Sequence, residues 1–371
     1  MRLPEFQQLV SPFPPEVFAR QMDGKEAVLL RPVLSTPLDL AGLDALVAAR
    51  SLRWPTITLR DGDDELSPGS FTRTVSWGRR GEVPVADPDA LRAGLSRGCC
   101  VCLPDLHRQH GATASLVRAL ERVFHMRGRC EVVLAPRDAR PWGEKRLSRA
   151  HRYIVQCVGR RRVQVVQDGL PEAAFDQVPG TALYVPPGAG TRFELDEDAL
   201  WIDIELTPIS VASLAAAELR AAATRDDMRA VLPVGLWAEG DSLSDAWRKK
   251  VDSILEEVDH EAVLESEVDR FVQGRLPLLR GQLGASDRRV HPNTLLRRRP
   301  GLMYRVVRMD RGVELRFHGK TIGLPPGSQG LLDFAAEQPS WRAGDLPLPE
   351  THRLGFVQHL LREGFLEVVR G

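Results

Sequence analysis

The chain reads as an α+β protein: helices leading into a small all-β barrel or sandwich, then a helical stretch, then a small α+β unit. Three observations predict this. Between Cys130 and Leu206, short β-rich runs follow one another at regular spacing, separated by Gly, Pro and Asp turns, as in a small sandwich or barrel. From about Ile209 the apolar residues fall at helical spacing instead. From about Asp287, a short hairpin pattern is followed by two helical runs and a closing β run. The division expected is 1–208, 209–284 and 285–371.

With 371 residues the chain is long enough for two or three such units. Its 43% hydrophobic and 27% charged residues fit a soluble globular protein. A formal net charge of +0 supplies no global field toward nucleic acid or a membrane. No apolar run approaches the roughly 20 residues of a spanning helix. The opening "MRLPEFQQLVSPFPPEVFAR" lacks the apolar core of a signal peptide, and the five cysteines fit no disulfide framework. A cytoplasmic protein is expected.

The elements follow in order. "SPFPPEVFARQM" carries a Ser11 cap and a Pro-rich helical entry, and "STPLDLAGLDALVAAR" has apolar residues at helical spacing. "RDGDDELSPGS" reads as a polar turn cluster. "ADPDALRAGLSRG" is a capped helix closed by Gly98, and "GATASLVRALERVFHM" an amphipathic one. "GCCVC" (Cys99, Cys100, Cys102), with His107 and His110 near, has soft-metal donors but no CxxC spacing. Val101-Cys102-Leu103 reads as a buried strand, in which free cysteine acts as a small hydrophobe. The strand runs are "CEVVLAP", "RYIVQCVG", "RRVQVVQ", "ALYVPP", "TRFEL" and "ALWIDIEL". Two helical tracts follow. The second is capped at Asp241/Ser242 and keeps a seam through Trp247, Val251, Ile254 and Val258. At the C-terminus, "MYRVVRM" and "VELRFHG" are strands around Asp310-Arg311-Gly312, "PPGSQGLLDFAAEQ" and "HRLGFVQHLLREG" are helices, and "FLEVV" is a closing strand. That order suggests a winged helix. Arg297-Arg298-Arg299 beside it invites a nucleic-acid reading, but the second helix, with Phe356, Val357, Leu360 and Leu361, offers a groove few cations.

At "RYIVQCVGRRRVQVV" followed by "VPGTALYVPPGAGTRFEL" the chain resembles the bacterial ribosomal-oxygenase group of JmjC (cupin-type) proteins, which are Fe(II)/2-oxoglutarate protein hydroxylases. The resemblance spans nearly the whole chain. It implies a double-stranded β-helix with N-terminal helices, a helical dimerisation region and a C-terminal winged helix. It also implies an iron site of two histidines and a carboxylate, with coordination positions left open. Counting back from Gln156 places the His-x-Asp pair at Arg146 and Ser148, and the histidine after Pro-Pro-Gly at Thr191. All three are replaced by side chains that are poor donors for Fe(II). Glu144 and His151 flank the expected pair, and Glu194 and Asp196 follow Thr191; His151 reads as a surface or rim residue. Arg161 stands where the family grips the distal carboxylate of 2-oxoglutarate, a task a guanidinium performs bidentately. Strand alternation gives another reading, with Arg160 and Arg162 in solvent and Arg161 packed on an aromatic ring. Arg146 and Arg192 would add positive charge at the former metal site.

The expectation is therefore a metal-free pseudo-oxygenase. It would be a homodimeric scaffold that binds a polypeptide and presents it to a separate modifying enzyme, with no cofactor. One alternative is an active Fe(II)/2-oxoglutarate hydroxylase with displaced ligands. A second is a winged-helix nucleic-acid-binding regulator, weakened by the neutral charge. No GxSxG elbow, P-loop or HExxH motif is present.

Overall fold

The structure is a computed structural model that describes residues 4–32, 36–49, 52–76, 78, 81–139, 149–224, 247–249, 251–253, 256, 258–275 and 290–369. It divides into two compact units, Met1–Pro208 and Ile209–Gly371.

The first unit is built on two antiparallel sheets. Its strands are β1 (Val28–Leu30), β2 (Thr58–Asp61), β3 (Asp64–Glu65), β4 (Thr72–Ser76), β5 (Glu82–Ala86), β6 (Cys100–Pro104), β7 (Arg127–Ala135), β8 (His151–Val158), β9 (Arg161–Val166), β10 (Ala173–Gln177), β11 (Ala182–Val185), β12 (Gly190–Leu195) and β13 (Ala199–Thr207). The large sheet runs β1-β11-β8-β13-β7-β6-β2-β3 and the small one β10-β9-β12, while β4 and β5 pair with each other as a separate two-stranded ribbon. From β8 onward the chain passes back and forth between them. The polar tract "RDGDDELSPGS" contributes the β2–β3 hairpin and not only a turn.

Two-residue alternation gives each strand of the large sheet an inner and an outer row. Outer residues Tyr153, Val155, Ile202, Ile204 and Leu206 join Leu116, Val117 and Leu120 of the helix Gly111–Phe124 in one core. Inner residues Ile154, Val133, Leu183 and Trp201 meet Val163, Val165 and Phe193 of the small sheet in another. That helix and those at Leu40–Ala48 and Pro88–Ser96 match the periodic tracts, the last two capped by Asp39 and Asp87. Ser11 caps no helix; the segment holds only a short turn, Pro15–Val17, and a π-helical stretch, Phe18–Met22. All five cysteines are free and buried, Cys100 and Cys102 on the inner row. Burial pushes the Cys100 thiol up to about 12, as expected of core cysteine.

One glycine is required by the turn into the small sheet. Gly159 has φ +70°, and a Cβ there would stand 2.1 Å from the Asp198 carbonyl oxygen. Gln156 spans the same corner, its Nε2 donating to the Val158 carbonyl at 2.7 Å and the Gly159 carbonyl at 3.0 Å.

In the second unit, helices Val211–Ala222 and His260–Gln273 pack together, the latter capped by Asp259. Asp241, Ser242 and Ile254 lie outside the described residues. Strand β14 (Leu295–Arg298) runs between β18 (Trp341–Arg342) and β19 (Leu366–Val368). A meander of β15 (Arg305–Met309), β16 (Gly312–Phe317) and β17 (Lys320–Leu324) precedes helices Gln329–Glu337 and Glu350–Glu363. The basic triplet is turned to internal work. Arg297 pairs with Glu367 at 2.7 Å, Arg298 donates to the Ala336 and Leu302 carbonyls, and buried Arg299 donates to the Gly364 carbonyl. Among the described residues no helix is long and apolar enough to cross a membrane.

Candidate functional site

Two clusters of buried polar side chains lie between the sheets. At the first, Arg152 at the start of β8 and Asp203 in the middle of β13 share the inner row of the large sheet. Arg152 Nε donates to Asp203 Oδ1 at 3.2 Å and Nη2 closes the fork on Oδ2. The third nitrogen, Nη1, donates across to Thr191 Oγ1 of β12 in the small sheet at 2.8 Å. The Arg152 and Asp203 side chains are only 2% and 6% exposed. Burial works against the Arg152 charge, but Asp203, with Glu205 and Glu131 adding to it, outweighs burial and holds the guanidinium above its ordinary pKa. Both ions are desolvated, so either one alone would be costly.

At the second cluster, Arg161 opens β9 and points inward, 1% exposed. Its Nε and Nη2 donate to Gln177 Oε1 at 3.1 and 2.7 Å, and Gln177 Nε2 donates to the Ile154 carbonyl at 2.9 Å. The guanidinium carbon lies 4.3 Å from the Trp201 ring centroid and 4.9 Å from that of Phe193, both in cation–π range. Burial pulls its pKa down to about 9, against the pull of Asp203, so the group is still cationic at neutral pH. Its Nη1 is buried without a hydrogen-bond partner among the described residues. A buried, charged donor left unpaired is a place for an acceptor oxygen.

Of the sequence-derived candidates, the structure brings Thr191 and Arg161 into the interior. Arg160 and Arg162 are exposed, as alternation requires. Glu144, Arg146 and Ser148 lie outside the described residues. The reading of His151 as a rim residue is corrected: it is 7% exposed and belongs to the outer, helix-facing side of β8. Its Nδ1 lies 2.7 Å from the Tyr184 hydroxyl, which accepts from the Gly24 amide at 2.7 Å and donates to Asp23 Oδ1 at 3.1 Å. Glu194 is turned outward, where its Oε1 accepts from Gln164 at 2.9 Å, and Asp196 is exposed. Arg192 sits on the same outward row as Glu194, so it adds no charge beside Thr191.

Sequence reasoning missed Arg152 and Asp203. A signal existed: "WIDIEL" places Asp203 on the same alternate row as Trp201, and an inward carboxylate needs a cation from a neighbouring strand.

Does this interior fit an iron triad? Among the described residues no three His, Cys, Asp or Glu side chains are grouped so that they could hold a metal ion. Asp203 is engaged by Arg152, and Thr191 offers a hydroxyl. The described donors do not fit the group.

No protein-family model matches the chain, and no curated protein matches it. Solved structures do. YcfD, a ribosomal oxygenase from Escherichia coli in complex with cobalt and succinic acid, aligns over 97% of this chain and 99% of its own, at 16% identity and a TM-score of 0.59. The same protein with cobalt and 2-oxoglutarate aligns over 97% and 99%, at 15% identity and a TM-score of 0.57. This chain has the fold of a ribosomal oxygenase. The JmjC-type resemblance is thus established for the fold along nearly the whole chain. The expectation of no cofactor is corrected. Structures of this ribosomal-oxygenase fold hold cobalt with succinic acid or 2-oxoglutarate, so a metal and a dicarboxylate belong among the ligands to be tried here.

Proposed function

We propose that the chain is a polypeptide-binding protein built on a ribosomal-oxygenase barrel, a pseudo-oxygenase that does not itself hydroxylate. One observation carries this reading: the Arg152 guanidinium lies between Asp203 and Thr191, and Thr191 stands where the resemblance places a metal-binding histidine. Metal-dependent hydroxylation needs several good donors converging on one point. In this reading Arg161 receives a carboxylate through its unpaired Nη1, from an acidic or C-terminal group of the polypeptide or from a small dicarboxylate. The scaffold is cytoplasmic and acts beside a separate modifying enzyme.

The same proposal gives the second unit two parts. Residues 209–284 form a dimerisation region, for which the exposed Val211, Leu219, Leu264 and Val268 supply apolar contact area. Residues 285–371 form a winged-helix-type domain that contacts protein. Internal pairing of Arg297, Arg298 and Arg299 weighs against nucleic acid.

A second reading, an active Fe(II)/2-oxoglutarate hydroxylase, draws on the cobalt and 2-oxoglutarate held by the similar structure and on the unpaired Arg161 nitrogen. The deciding experiment has two arms. Calorimetric titration with succinate, repeated on Arg161→Met, tests the carboxylate site: binding to the parent that the variant loses supports it. Succinate release from 2-oxoglutarate, with Fe(II), ascorbate and air, tests hydroxylase chemistry, and sustained release would move the assignment to the second reading.

A further inference from the structure

We infer that the space between Asp203 and Thr191 is a guanidinium-binding site that the chain fills with its own Arg152 side chain, an internal ligand that bridges the two sheets. The inference stands on local geometry and does not depend on whether the barrel hydroxylates.

The match between site and group is complete at every guanidinium nitrogen. Two nitrogens fork onto the Asp203 carboxylate and the third donates to Thr191 Oγ1. A planar cation with donors in a fixed fork satisfies this arrangement, and an ammonium, which is a point charge, cannot. The acceptors come from different sheets, Asp203 from β13 of the large one and Thr191 from β12 of the small one. The cation therefore ties the sheets together.

Asp203 also lines a cleft of about 100 Å3, together with Asp105, Arg129, Cys130, Glu131 and Glu205. Four of the seven lining residues are carboxylates against one arginine, so a small cation approaching Asp203 meets a favourable potential.

The test removes the resident ligand and offers a substitute. Arg152→Ala takes away the guanidinium and opens space for one. Thermal unfolding of this variant is followed with about 10 mM methylguanidinium, methylammonium or sodium chloride, a concentration that reports sites of millimolar affinity by mass action. The expected result is a lowered Tm, partly restored by methylguanidinium and unmoved by the other two salts. Wild type gains nothing. The paired variant Arg152→Ala/Asp203→Leu is expected to lose the response.

A second comparison covers the case in which Arg152→Ala does not fold unaided. Refolding with methylguanidinium should then recover it, and Arg152→Met/Asp203→Leu should fold without any additive. Three results would overturn the inference: an unchanged Tm for Arg152→Ala, equal rescue by methylammonium, or rescue that survives loss of Asp203. Failure of methylguanidinium to recover the single variant would do the same.

Discussion

Gln177→Leu tests whether Arg161 is held as a buried cation. Leucine keeps much of the volume on β10 but removes the single oxygen that accepts from Arg161 Nε at 3.1 Å and Nη2 at 2.7 Å. It also removes the donor to the Ile154 carbonyl at 2.9 Å. A hydrogen bond to a charged group contributes about 1.5–3 kcal/mol, and a neutral one about 1 kcal/mol. Because both guanidinium bonds share one acceptor they count as one, and the loss is about 2.5–4 kcal/mol in total. Stacking on Trp201 and Phe193 survives the change, so the cost is confined to the lost bonds. For a unit of this size each kcal/mol moves Tm by about 2–4 °C, so a drop of roughly 10 °C is expected. Hydrogen exchange resolved on peptides of β9 and β13 would read the loss in the first unit without interference from the second. A loss below about 1 kcal/mol would refute the argument, since a guanidinium that cheaply separated from its acceptor is not held as a desolvated ion.

Other predictions follow from the same structure. Gly159→Ala should cost more than about 2 kcal/mol by urea unfolding, because positive φ and contact with a backbone oxygen act together and no side chain can yield. His151 titrates below its ordinary value of 6.5, chiefly through burial, with Asp23 opposing. A depressed folded pKa means that stability present above pH 6.5 is lost as pH falls through the lower value. Urea midpoints at pH 7.5 and 5.5 should therefore diverge in wild type and converge in His151→Gln. Leu264→Lys/Val268→Lys should convert a dimer to monomer in sedimentation velocity while leaving the thermal transition within about 1 kcal/mol, as expected for exposed positions. An unchanged mass would remove this face from the proposed dimer.

The fold could be read from the sequence where the period was strong. The run of short strands from Cys130, the Pro-Pro-Gly turn after β11 and the capped helix Pro88–Ser96 are local signals that the structure contains, whereas β1, β4 and β5, ahead of Cys130, carried no such signal. Arg161 could be read in part, since alternation along "GRRRVQVV" puts it opposite its exposed neighbours; its stacking on Trp201 depends on a strand forty residues away. The Arg152–Asp203 pair was not legible, because nothing in "HRYIVQ" or "WIDIEL" alone states that β8 and β13 lie side by side. His151 was misjudged for a similar reason. Its partners, Tyr184 and Asp23, come from distant strands and loops, and a polar side chain at a strand start reads as exposed until they are known.

The most direct measurement on the central claim is succinate formation from 2-oxoglutarate by the purified full chain with Fe(II), ascorbate and oxygen, against a protein-free control. The account predicts succinate at the control level, with carboxylate binding lost in Arg161→Met. Succinate released over many turnovers, and abolished when iron is chelated, would contradict it and identify the chain as a working oxygenase.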